Sequence, residues 1–87
     1  MKIFEATYDG HRIHVENKWK GEKLYVDGEL QDENIGLALR ATLTGELKAD
    51  NNEAKCIKVT LGGFLSIHCK IFVDYGLVRS YRIKKRI

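Results

Sequence analysis

Proline is absent from this 87-residue chain, methionine and tryptophan occur once each, and cysteine occurs twice. Without proline there is no polyproline segment and no stiff linker. No apolar run approaches the ~20 residues of a membrane-spanning helix. The opening Met1-Lys2-Ile3-Phe4-Glu5 lacks the ~7–15-residue apolar stretch of a signal peptide. These absences lead to the expectation of a cytoplasmic chain with no membrane span and two reduced thiols. Charge of a single sign is lacking too, with 15 Lys plus Arg against 12 Asp plus Glu, a net +3. What is present is 44% hydrophobic residues, too many for a disordered tail. The length allows one domain with one thin core and no deep cleft.

The apolar residues recur with a period of two, which places them on one side of extended strands. Ile13, Val15 and Trp19 alternate with Arg12, His14, Glu16 and Lys18, and Leu24 and Val26 alternate with Lys23, Tyr25 and Asp27. Leu37, Leu39, Ala41 and Leu43 follow the same rule, as do Ile57, Val59 and Leu61, then Leu65, Ile67, Cys69, Ile71 and Val73. Phe4, Ala6 and Tyr8 share a side of 2–8, and Leu77, Tyr81 and Ile83 share one of 77–83. Asp9-Gly10, Lys20-Gly21, Asp27-Gly28, Gly62-Gly63 and Tyr75-Gly76 punctuate these runs as turns. Lys48 to Glu53 reads as an exposed loop. A helix is conceivable only over 29–41, and Gly36 weakens it. No internal repeat is evident. The pattern predicts a single all-β domain over 1–87, an antiparallel β-sandwich or small barrel of about seven to eight strands. The expected core is Phe4, Ile13, Val15, Trp19, Leu24, Val26, Leu37, Leu39, Leu43, Ile57, Val59, Leu61, Leu65, Ile67, Cys69, Ile71 and Val73.

Register decides the cysteine question. A two-residue turn at Gly62-Gly63 sets Cys56 opposite Cys69 but throws Ile57 and Val59 onto the face of Ser66 and His68. A three-residue loop pairs Leu61 with Leu65, Val59 with Ile67 and Ile57 with Cys69, which keeps the apolar residues together. One slip flips every side chain, so the core is expected to prevail and the cysteines to lie on opposite faces.

Catalytic constellations find no support. His11 and His14 are three apart, and His68 and Cys69 are adjacent, so neither pair points one way on a strand, and no metal site is expected. Ser66 and His68 share a face, yet no Gly-x-Ser-x-Gly elbow surrounds the serine. Asp32-Glu33 sits in a polar stretch with nothing to raise a carboxyl pKa. Gly62-Gly63 lacks the lysine and helix of a phosphate loop. The chain is expected to be no enzyme and to need no cofactor.

Two surface features remain. Residues 1–44 carry 6 basic and 8 acidic side chains, and 45–87 carry 9 and 4. The excess gathers in Arg79, Arg82, Lys84, Lys85 and Arg86, where the cations either protect a sheet edge or contact phosphates while Tyr81 stacks on a base. Phe64 and Phe72 fall on the polar side of 64–73. The 2–8 strand or the 29–35 segment can fold over them, or they can centre a two-fold dimer.

The stretch Ile13 to Gly28, ending in Val26-Asp27-Gly28, resembles the strand–turn–strand that opens the β-sandwich module of the Fas apoptotic inhibitory molecule family. Leu43-Thr44-Gly45 resembles that family's Leu-Val-Gly step. Cys56-Ile57-Lys58-Val59 stands at its next strand, and Leu65 to Val73 with Asp74-Tyr75-Gly76 resembles its final hairpin, followed by the basic Ser80-Tyr81-Arg82. The family's His-Gly turn is here Asn17-Lys18. The resemblance implies an antiparallel sandwich without catalytic residues that acts through protein contacts. The residues and the resemblance together leave two functions from different classes as expectations. One is a non-enzymatic protein-interaction or structural module, self-associating as a homodimer or binding another protein. The other is a small β-domain that binds nucleic acid or an anionic surface through its C-terminal cations.

Overall fold

The computed structural model describes residues 2–36, 40–48, 51–63 and 66–84. Eight strands follow one another: β1 (Lys2–Tyr8), β2 (His11–Lys18), β3 (Gly21–Val26), β4 (Glu29–Ile35), β5 (Arg40–Lys48), β6 (Ala54–Gly62), β7 (Ser66–Val73) and β8 (Gly76–Lys84). They form two antiparallel four-stranded sheets in chain order, β1-β2-β3-β4 and β5-β6-β7-β8. The protein is a small all-β sandwich. β1 lies against β8, and β5 lies against β3 and β4.

The two-residue period accounts for the core. Phe4, Ala6, Ile13, Val15, Leu24 and Val26 project from the first sheet onto Leu43, Leu47, Ile57, Val59, Leu61, Cys69, Ile71 and Val73 of the second. Each fully buried Val, Leu, Ile or Phe contributes about 1.5–3 kcal/mol. Gly45 sits on the inward side of β5, where a Cβ would come within 3.3 Å of Leu24. The missing side chain lets the sheets approach there. Glu22 is also buried and accepts a hydrogen bond from Asn34 Nδ2 at 3.0 Å.

Trp19 is not in the core but 82% exposed. Lys18 pairs with Gly21, so the turn is Trp19-Lys20 rather than Lys20-Gly21, and the strand ends before its parity reaches the tryptophan. Ile67 is only half-buried. Leu37, Leu39 and Leu65 lie outside the described residues. Residues 29–35 are a strand, not a helix; a bulge between Leu24 and Tyr25 shifts the β3–β4 pairing and turns Leu30 outward. The β6–β7 register also differs from the three-residue loop: Leu61 pairs with Cys69, Val59 with Ile71 and Ile57 with Val73. The slip is an even number of residues, so the inward faces stay inward. Cys69 is buried, Cys56 is exposed, and both are free.

The two sheets repeat one another, which the sequence hid. Ile13, Val15, Leu24 and Val26 occupy the pairing positions of Ile57, Val59, Ile71 and Val73. The bulge after Leu24 recurs after Ile71, with Leu30 and Leu77 in matching places. Asp27 donates its N–H to the Arg12 carbonyl and accepts from the Arg12 N–H; Asp74 does the same with Cys56, all at 2.9–3.0 Å. The main difference lies at the end of the middle ladder, where the last pairs, Lys18 with Gly21 and Gly62 with His68, enclose two residues in the first sheet and five in the second.

Candidate anion-binding face

Each sheet turns one face to solvent, and the repeat makes the two faces comparable position by position. The first sheet presents Glu5, Arg12, His14, Glu16, Lys18, Lys23 and Glu33. Its charges neutralise one another. Arg12 donates through Nε and Nη2 to Glu5, both at 3.1 Å. His14 lies between Glu5 (3.4 Å) and Glu16 (3.2 Å). Lys18 reaches Glu16 at 3.3 Å, and Lys23 reaches Glu33 at 4.0 Å. The pairing with Arg12 holds the Glu5 carboxyl below the usual range and raises Arg12. Contact with His14 and Lys18 lowers Glu16. A shallow cavity of about 260 Å³ opens among Arg12, His14, Glu16, Tyr25 and Gly28.

The second sheet replaces those carboxylates with hydroxyls. By strand pairing, Thr44 stands where Glu5 does, Thr60 where Glu16 does, and Ser80 where Glu33 does. The cations remain. Arg40, Lys58, Lys70, Arg82 and Lys84 are all exposed on strand positions that face outward. Among the described residues none of these five has an ion-pair partner. Lys48 and Glu46 lie further along the same face of β5.

Of the C-terminal residues singled out in the sequence, Arg82 and Lys84 therefore join this face. Arg79 and Tyr81 do not. Both pair toward the core side, opposite Ile71 and Cys69. The Tyr81 ring packs on Phe4 at a centroid distance of 5.3 Å, its hydroxyl donates to the Glu5 carbonyl, and the Arg79 guanidinium lies 5.1 Å from the ring. Tyr81 joins the two sheets, and its ring is already engaged by Phe4 and Arg79. Lys85, Arg86 and Phe64 lie outside the described residues. Phe72 is half-buried on the outward face, paired with Lys58 on β6 and with Leu77 on β8. Neither 2–8 nor 29–35 covers it, because β1 and β4 belong to the opposite sheet. Arg40, Lys58 and Lys70 had no signal in the sequence beyond strand parity, since pairing across four strands is what unites them.

Ser66 Oγ lies 3.2 Å from His68 Nε2 on this face. Among the described residues the pair has no carboxylate behind the imidazole, the third member that orients a catalytic base. Among them too, no group of three or more His, Cys, Asp or Glu could hold a metal ion, and no helix is long and apolar enough to cross a membrane. Comparison of the chain with protein-family models, with curated proteins and with solved structures gave no match.

Proposed function

We propose that this chain is a non-enzymatic binding module that engages a polyanion through the outward face of β5–β8. One observation carries the reading: among the described residues five exposed cations on this face stand without ion-pair partners, whereas the charges of the repeated sheet pair with one another. Like charges held on one rigid face repel, which costs stability unless an anion offsets them. Protection of a sheet edge explains the cations on the edge strands β5 and β8; it does not explain Lys58 and Lys70 on the central strands.

The same charge weighs against a dimer centred on Phe72. A two-fold contact there draws Lys58 and Lys70 of both copies into one interface, four like charges around the two rings. The β4–β5 edge is closed as well, since Thr44 and Glu46 donate their N–H groups to Asp32 and Gln31 side chains at 2.9 and 3.4 Å. The exposed Ile3, Leu30 and Ile35 of the first sheet stand on its two edge strands rather than as one patch.

Retention on a heparin column tests the reading. The wild type should elute well above a Lys58→Glu/Lys70→Glu variant, while Lys23→Glu on the opposite face should change elution less. Equal elution of the wild type and the double variant overturns the proposal.

A further inference from the structure

Resting on that reading, we infer that the polyanion is a single-stranded nucleic acid, with phosphates along a diagonal of cations and a base on Phe72. Lys58, Lys70 and Arg82 lie on three successive strands, and each is displaced from the last by one outward step along the sheet. Diagonal neighbours of this kind are about 7–8 Å apart, a spacing comparable to that of successive phosphates in a stretched strand. Lys84 continues the row down β8, and Thr60 and Ser80 flank Lys70 with hydroxyls able to donate to phosphate oxygens.

Beside this row lies a phenyl ring. Phe72 is two residues from Lys70 on the same strand and directly across from Lys58. With Leu77, 56% exposed, it forms an apolar island among cations. A cationic track with an aromatic platform is what unstacked bases require. A duplex keeps its bases inside and would set only hydrated backbone against the island. An anionic bilayer would use the cations, but a half-buried ring lying between neighbouring side chains does not project far enough to enter the acyl region.

Fluorescence anisotropy at 50 mM salt tests this with a labelled dT20, a 20-base-pair duplex and vesicles containing phosphatidylserine. The single strand should bind at least about 10-fold tighter than the duplex. Phe72→Leu, which keeps an apolar strand residue but no flat ring, should weaken dT20 binding about 5- to 160-fold, the worth of one base–aromatic stack. Phe72→Tyr should restore it, and circular dichroism should show both variants folded. Lys70→Ala should instead reduce the slope of log K against log salt by about 0.7. Duplex binding as tight as single-strand binding, an unaffected Phe72→Leu, or binding to vesicles alone overturns the inference while leaving polyanion binding intact. Failure on heparin as well removes both.

Discussion

The turn at Asp74-Tyr75 invites a quantitative experiment, because the molecule contains its own controls. Three two-residue hairpin turns begin with aspartate at positive φ: Asp9 at 51°, Asp27 at 51° and Asp74 at 47°. The second residue is glycine in the first two, Gly10 at 79° and Gly28 at 84°, but it is Tyr75 at 68° in the third. Both residues of such a turn must be left-handed, and for a side chain bearing a Cβ this costs about 1–2 kcal/mol. Tyr75 is 87% exposed and offsets little of that through contacts. Glycine in its place removes the strain but gains freedom in the unfolded chain worth about 0.4–1 kcal/mol. The net expectation for Tyr75→Gly is a stabilisation of about 0.5–1 kcal/mol, raising Tm by about 2–8 °C in a domain of this size. Gly28→Tyr should lower stability by a similar amount, since a Cβ there meets no atom within 4 Å and the penalty is in the backbone alone. Urea unfolding followed by circular dichroism measures both. A destabilised Tyr75→Gly, or a neutral Gly28→Tyr, would refute the strain argument and point to a contact made by the tyrosine ring.

Two further outcomes are expected. His11 bridges the sheets, with Nδ1 2.6 Å from Asp27 and Nε2 at the Lys48 carbonyl, and the Asp27 contact first among several causes raises its pKa. Its stabilising contribution is complete below the unfolded value of about 6.5 and is lost as pH rises through the higher folded value. The urea midpoint should fall over that window, and more shallowly in His11→Gln; equal slopes would refute the assignment. A thiol reagent at pH 8 should label one cysteine quickly, the exposed Cys56. Cys69, which burial pushes up to about 12, should react only as fast as the protein opens, so two rapid equivalents would contradict the buried position.

Strand parity made most of the core legible before any coordinates, and an even register error between β6 and β7 did it no harm. Trp19 was misread because parity says nothing about where a strand stops. β4 was obscured for a different reason. As an edge strand with a bulge it turns Asp32 and Asn34 inward, where they bond to Thr44 and Glu22, and leaves Leu30 outside. The basic face was half legible. Arg82 and Lys84 stand close in the chain and drew notice, whereas Arg40, Lys58 and Lys70 become neighbours only through pairing of four strands. Tyr81 looked like a stacking platform because its parity partner across the sandwich, Phe4, is 77 positions away.

Among the described residues every ladder joins strands adjacent in the chain, and none crosses from one repeat to the other. The ends to be closed at each step are thus near together, so chain entropy opposes sheet formation weakly and the topology has low contact order for an all-β protein. Each meander can assemble on its own before the apolar faces meet, and only the docking step requires distant segments to find each other. Folding should accordingly run faster than in sandwiches whose strands are exchanged between sheets, with the docking of Phe4 on Tyr81 among the last contacts made.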